Sequence, residues 1–361
     1  MSRFDREKVM QLSLRAMSGD NCQPWAFAWE GDFLKISHQQ DLGRHYFNRK
    51  NGASVIALGT LCELLAQASL LQGYEASFQV LKGFGSENDP LWMEVTFQPT
   101  DKTTTVTEQA ILQRQSYRGV FEKKQALSAD QIQQLKALES SYAGLQVQFQ
   151  SNLSSELTEA YLQSDVATWY HHRAVADLIH WFRFTKKDWM NKKDGMYLPE
   201  LGLSMKDAPG FWLLKKFPSL LRPMFHLAMK KMVRSVLEKN FSSSSGVFFI
   251  AGNSVQDMDL WKAGRLSMRL LLQLHQWGYC AQPLSSVSLV VADIERGCLP
   301  KDTEEPYKSI FLGLKSLIQK QMGFASNQIP IWAFRYGVIS NVQSKVPQSL
   351  RRDLSFFWKK N

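Results

Sequence analysis

Apolar positions along this chain fall into two kinds of run: short runs of strand length, and long runs of helix length that end at glycine. Residues 4–17 predict a short helix, with Phe4, Val9, Leu12 and Met17 partly on one side. A turn at Gly19-Asp20-Asn21 leads into a hairpin, Trp25–Trp29 and Phe33–Ser37, around Glu30-Gly31-Asp32. Residues 53–72 form a long apolar helix capped by Gly73. Phe78–Leu81 and Trp92–Phe97 read as strands, and Thr100–Thr107 as a polar linker. A helix starts at 107–115, and the Ser128–Gln131 capping box opens the next. Leu145–Gln150 reads as a strand, 154–240 as mostly helical, and Ser242–Ser245 as a polar joint. Val247–Ala251, Val287–Val291 and Ile331–Val338 read as strands, with a helix over Asp257–Trp277. The strongest apolar runs, Gly246–Gly252 and Val287–Ala292, are strand-sized, so no segment is expected to span a bilayer.

A repeat regroups these elements. Shifting the chain by 205 residues sets Gly59 on Gly264, Leu61 on Leu266, Leu65 on Leu270, Gly73 on Gly278, Tyr74 on Tyr279 and Ala76 on Ala281. Two Leu-rich helices that both end in Gly-Tyr read either as a chance match of capped apolar helices or as a duplicated unit, with the equivalent helices packed at the centre of a pseudo-dimer.

The 361 residues are 44% hydrophobic and 21% charged, which excludes a disordered chain, a collagen and a disulfide miniprotein. The net charge of +10 first suggests an anionic partner: nucleic acid, membrane or a phosphorylated ligand. Its distribution changes that. Residues 181–240 hold 13 Lys and Arg against five Asp and Glu, an excess of eight, so the rest of the chain carries only +2. Nucleic acid is not needed to explain the charge. Phe211-Trp212-Leu213-Leu214, Phe217, Leu220-Leu221 and Met224-Phe225 stand between the basic residues. This segment reads as helices packed on the core, as a lid over a site, or as a peripheral membrane contact through 209–240. Cys22, Cys62, Cys280 and Cys298 have no short-spaced pairing and suit a reducing compartment. The charged N-terminus has no apolar stretch of the signal-peptide kind, so the cytoplasm is expected.

Two constellations could carry chemistry. Ser18-Gly19-Asp20-Asn21-Cys22-Gln23-Pro24-Trp25 is a small-residue turn whose backbone N–H groups and Asn amide could meet a polar planar ligand. On composition alone, an ordinary tight turn over a buried Trp is the favoured reading. Arg114-Gln115-Ser116-Tyr117-Arg118 offers two guanidinium forks around a hydroxyl, suited to phosphate or ring carbonyls, and would also make an ordinary solvated helix end. Gly83-Phe84-Gly85 lacks a dinucleotide fingerprint's third glycine, His171, His172 and His180 lack zinc spacing, and Gly-x-Ser-x-Gly is absent.

Together the two constellations resemble the nitroreductase family, whose turn reads Pro-Ser-x-x-Asn-x-Gln-Pro-Trp and whose Arg-x-Ser-x-Arg binds flavin. Their order is reversed here, which resembles the Acg-type branch, where one long chain mimics the family's homodimer. Gly52-Ala53, Asp194-Gly195, Leu201-Gly202-Leu203, Ala263-Gly264-Arg265 and Pro330–Gly337 extend the resemblance over most of residues 10–355. It implies an α+β fold: a nitroreductase-like sheet sandwiched by helices, as an intrachain pseudo-dimer. The halves would be 1–100 and 101–361, the second carrying the basic helical insertion or lid 154–241 and a C-terminal phosphate-binding tail.

The resemblance further implies FMN held between the halves. Arg114, Ser116 and Arg118 would contact its phosphate and pyrimidine side, and Ser18, Gly19 and Asn21 would approach from the other half. Pro283, Leu284, Ser285 and Ser286 would offer backbone donors near the N5 edge, and Arg351 and Arg352 would be phosphate ligands. Met17 replaces the family's Pro, and Leu284 and Ser285 stand where an acidic residue is often found. Residues 1–17 hold no second Arg motif and 140–165 no second Gln-Pro-Trp, so one FMN per chain is expected. The implied activity is NAD(P)H-driven reduction of a quinone, nitroaromatic or enone-like small molecule, by a monomer or weak dimer. The rival is a catalytically quiet FMN store. No side chain stands out as a proton donor.

Overall fold

The computed structural model describes residues 4–359 apart from 82–83, 85–89, 152, 171, 299–306 and 341–345, and leaves aside the side chains of 167–170, 172, 207, 218–230 and 307. The Gly83–Gly85 and His171 readings, and the Leu220–Phe225 apolar groups, therefore lie outside the described residues or side chains.

The fold is mixed α and β, built on two four-stranded antiparallel sheets. The first comes entirely from β1 (Trp25–Glu30), β2 (Phe33–His38), β3 (Tyr74–Val80) and β4 (Leu91–Pro99), in the order β1-β2-β4-β3. The β1–β2 hairpin closes over Gly31-Asp32, with Gly31 at φ +60°, a conformation glycine reaches without strain. After β5 (Leu145–Gln150), the insertion carries a two-residue parallel pair, β6 (Phe182–Arg183) and β7 (Met196–Tyr197). Strands β8 (Gly246–Gly252), β9 (Tyr279–Pro283) and β10 (Ile329–Val338) complete the second sheet, in the order β5-β8-β10-β9.

Two long helices, Gly52–Leu70 and Asp257–Gln276, cross between the sheets. Each ends before a left-handed glycine, Gly73 at φ +77° and Gly278 at φ +83°. Gly59 and Gly264, equivalent in the 205-residue repeat, meet at the crossing. A Cβ on Gly59 would lie 2.1 Å from the Trp261 carbonyl oxygen, and one on Gly264 2.1 Å from that of Ile56. One turn further on, buried Glu63 pairs with Arg265 at 3.0 Å and accepts from Tyr142 Oη at 2.8 Å, and Arg269 donates to Gln67 at 2.9 Å.

Every residue from Ser54 to Ser69 is buried. Contrary to the expectation from the apolar runs, Arg49–Leu70 is long and apolar enough to cross a membrane, but protein encloses it. A helix that is apolar all round must be surrounded by something apolar, and here the core supplies it.

Val287–Val291 is corrected from strand to helix, within Ser285–Glu295. Val287, Val290 and Val291 follow the helical period and are buried against β10, which outweighs the β preference of valine. Strand β9 and the helix Tyr307–Met322 are further elements that local patterning did not mark out. The insertion runs through the helices Ser155–Tyr170, His172–His180, Lys186–Lys192, Ala208–Lys216 and Pro218–Ser243. It packs around an apolar cluster of its own that includes Ile179, Phe182, Leu198, Phe211 and Leu214.

Candidate functional site

The turn at residues 18–25 is strained. Asp20, Asn21 and Gln23 all have positive φ, at 49°, 56° and 54°. Each costs an L-residue on the order of 1 kcal/mol, so the surroundings must hold the shape. They do. Ser18 Oγ accepts from the Gln23 N–H at 2.9 Å. The Gln23 amide donates to the Asn21 and Lys193 carbonyls and accepts from the Arg352 N–H at 3.0 Å. The Asn21 amide donates to the Gly195 and Leu350 carbonyls at 3.1 and 3.0 Å, which leaves its buried Oδ1 without a partner. The turn is thus bolted to both the insertion and the tail. Gly19 faces open space, with nothing within 4 Å of where a Cβ would stand.

The Arg motif begins where the helix Glu108–Gln113 ends. Ser116 bridges to Ala281, and the Tyr117 N–H donates to the Ala281 carbonyl at 2.9 Å, which sets the motif beside β9. Arg114 is 3% exposed. One of its Nη atoms donates to the Arg15 carbonyl at 2.9 Å, and its Nε has no partner. Arg351 donates to the Leu14 and Ala16 carbonyls, closing the C-terminal end of the first helix, Arg6–Ser13.

Arg15, Arg114, Arg118 and Arg351 converge on a small cavity of about 30 Å³ that Ser18, Asn21, Ser116 and Ser349 also line. Two carboxylates act on this cluster. Glu200 accepts from Ser349 Oγ at 2.7 Å, and Asp20 lies toward Arg118. Burial pushes Arg114 down to about 9, with Arg15 adding to the effect. Arg351 is driven well below the usual arginine range by burial first, then by Arg15 and Arg114. Burial also lowers Arg15 and Arg118, against the pull of Glu200. Buried Arg335 spends its guanidinium on Gln282 and on the Asn240 and Gly119 carbonyls. The Arg118 guanidinium makes no such bond among the described residues. A concentration of positive charge that is buried at Arg114 and half-buried at Arg15, Arg118 and Arg351, with this little compensation, is costly unless an anion joins it.

The small cavity shares Met17, Ser18, Ser116, Arg118 and Met196 with a larger one of about 340 Å³. That volume is in the range of small-molecule sites. Ala57 and Thr60 come from the first long helix, and Gln282, Pro283, Ser285, Ser286 and Trp332 from the second sheet and its adjoining helix. Leu178, Trp181, Phe182, Leu203, Phe211 and Val233 come from the insertion. The wall is mostly apolar, with two acidic exceptions. Asp20 stands 3.4 Å from His45, and its carboxyl is raised by burial against His45 and Arg118. Asp165 lies beside Ser286 and Tyr161, and burial raises its carboxyl. Among the described residues no group of three His, Cys, Asp or Glu could hold a metal.

Of the residues singled out from the sequence, Ser18, Asn21, Arg114, Ser116, Arg118 and Arg351 gather at the small cavity. Gly19, Pro283, Ser285 and Ser286 line the large one. Two are not brought in. Leu284 is buried behind the wall, and its N–H is used by the Ala333 carbonyl. With Pro283 lacking an N–H, the donors of this loop are Ser285 and Ser286, in the first turn of a helix. Arg352 turns away: its guanidinium bonds the Cys22 carbonyl and Asp194, which Arg183 also holds. Arg15, Glu200, Ser349 and Asp165 carried no motif that marked them in the sequence; Asp20 lies within the marked turn but had no role assigned to it.

No protein-family model matches this chain, and no curated protein matches it. Among solved structures, it is similar to an FMN-bound nitroreductase from Desulfitobacterium hafniense, at 13% identity and a TM-score of 0.36, over 68% of this chain and 94% of that one. It is similar to the FMN-dependent nitroreductase NfnB from Mycobacterium smegmatis in complex with NADPH, at 12% identity and a TM-score of 0.38, over 70% and 97%. A provisionally assigned nitroreductase from Anabaena variabilis covers 85% of this chain and 69% of its own, at 8% identity and a TM-score of 0.43.

Proposed function

We propose that this chain binds one FMN and is an FMN-dependent oxidoreductase, driven by NAD(P)H and reducing a small planar acceptor of the quinone, nitroaromatic or enone kind. One observation carries the reading: an under-compensated cluster of four arginines, Arg114 buried and Arg15, Arg118 and Arg351 half-buried, opens directly onto an apolar cavity of ligand size. A molecule with a dianionic end and a flat, largely apolar body matches both parts. The resemblance of the Gln-Pro-Trp turn and the Arg-x-Ser-x-Arg segment points the same way.

FMN, when bound, supplies the two-electron redox chemistry. Arg15, Arg114 and Arg351 would hold its phosphate. Arg118, at the junction of the cavities, would favour negative charge on the ring, since a donor fixed in a dry site needs no reorganisation. The Ser285 and Ser286 N–H groups would face the ring edge. Asp165, with its carboxyl held toward the protonated form, would keep a proton for the acceptor, a role no loop residue offers. The insertion would act as a lid that limits acceptor size and excludes water. The halves 1–100 and 101–361 would correspond to the two subunits of a dimer, with the glycine crossing on their axis.

The test is the visible spectrum of the purified or FMN-reconstituted chain, with flavin counted per chain. About one is expected; no binding refutes the reading, and two refutes the single site. NADH or NADPH oxidation with menadione as acceptor then separates enzyme from store. Bound FMN with no turnover above free FMN selects the store.

A further inference from the structure

The helix Ala208–Lys216 has two faces, and the cavity accounts for only one. Phe211 and Leu214 are buried, and Phe211 lines the large cavity. On the outer side Trp212, Leu213 and Phe217 are 49%, 40% and 48% exposed. Lys216 Nζ stands 6.0 Å over the Trp212 ring, so ammonium and indole share that face. The Phe217 N–H donates to the Leu213 carbonyl at 2.8 Å and continues the turn. Met190 and Met205 are also about half exposed, so among the described residues five of the 13 large exposed hydrophobics fall within residues 190–217. That concentration departs from the single scattered apolar residues of an ordinary surface.

The charge around this face is mostly basic, with Asp207 in the segment and Asp188 near Lys215 as the acidic exceptions. Lys206, Lys215 and Lys216 flank the apolar residues, and Lys192 lies close enough to act on Lys215, as does Arg183 from the interior, where it is held by Asp194. Burial, then Arg183 and Lys192, lowers Lys215, while Asp188 opposes them and is itself paired with Lys192 at 3.2 Å. Exposed indole, leucine and phenylalanine ringed by lysine is the composition that enters a headgroup layer, with apolar groups inward and ammonium groups at the phosphates.

We propose that the outer face of residues 205–217 docks on an anionic lipid bilayer, with Trp212, Leu213 and Phe217 inserted at headgroup level. Because Phe211 on the same helix lines the cavity, docking sets the cavity wall against the membrane. Resting on the function proposed above, this names the acceptor class as molecules that partition into lipid.

Co-sedimentation of the full chain, with and without added FMN, tests the docking. The vesicles are phosphatidylcholine alone or with about 30% phosphatidylglycerol. Binding to the anionic vesicles alone is expected, weakened at least tenfold by raised salt and by W212E/L213E/F217E, whose folding is checked by circular dichroism. K206Q/K215Q/K216Q should weaken it in the same direction. No sedimentation with anionic vesicles overturns the proposal, as does binding that survives both variants. Self-association of the wild type without vesicles, lost in W212E/L213E/F217E, overturns it in favour of a second copy on this face. Failure to bind FMN with vesicle binding intact would fall on the site reading alone.

Discussion

Arg114→Met gives the sharpest test of the arginine cluster, because the two readings of that residue predict opposite signs. If Arg114 serves the fold, its loss destabilises. If it serves an anion, the ligand-free protein carries its charge at a cost, and neutral methionine relieves it. Burial and Arg15 hold the guanidinium at about 9 rather than 12.5, a drop that corresponds to on the order of 5 kcal/mol. The sign follows from proton binding. The folded state holds this proton less tightly than the unfolded chain, so the cost is present in full below about 9. It fades only as pH rises through 9 toward 12.5. Against the gain stands the lost bond to the Arg15 carbonyl, about 1–1.5 kcal/mol. The variant should therefore be more stable at pH 7 without ligand, by about 3.5–4 kcal/mol, and its Tm should rise by several degrees. FMN affinity should fall by about 1.5–3 kcal/mol, roughly 10- to 150-fold, for one charge-assisted bond to phosphate. Differential scanning fluorimetry and fluorescence titration read both. A lower Tm with unchanged FMN affinity would refute the argument and make Arg114 a structural clamp.

Three further variants probe the rest of the arrangement. Gly59→Ala sets a methyl against backbone atoms that no rotamer can move aside, so denaturant unfolding should show a loss of at least about 1–3 kcal/mol. Arg352→Met removes one arm of the buried Asp194 network and should cost about 3 kcal/mol by the same assay, while the folded fraction keeps its FMN stoichiometry. Asp165→Asn should lower kcat and remove the alkaline limb of the kcat/KM pH profile. The wild-type rate falls as pH rises through the raised value of the carboxyl, and the amide has no proton to lose.

Adjacent residues show how far the sequence reaches. Arg351 and Arg352 are chemically identical and consecutive. One closes the carbonyl end of the first helix beside the small cavity; the other is locked into Asp194. Nothing local separates them, because the tail runs between two elements more than 150 residues away and each arginine faces a different one. Asp165 is another case. It lies in the insertion, remote in sequence from the loop at Ser286, and only the folding of the Ser155–Tyr170 helix over the cavity brings them together.

Local order was readable because short-range physics sets it. The Gly31 hairpin, the Ser128 capping box and the glycine stops at Gly73 and Gly278 depend on neighbouring residues, and they occur where the sequence predicts them. The 205-residue repeat identified the two helices that cross, because duplicated burial leaves duplicated apolar spacing. Val287–Val291 marks the boundary: its composition favoured a strand, and packing against β10 made it a helix. The arginine cluster lies beyond that boundary. Two of its members are visible in the Arg-x-Ser-x-Arg segment, but Arg15 and Glu200 join only through the tertiary fold. Desolvation and Coulomb interaction act through distance in space, so only the folded structure decides which charges face one another without water between them.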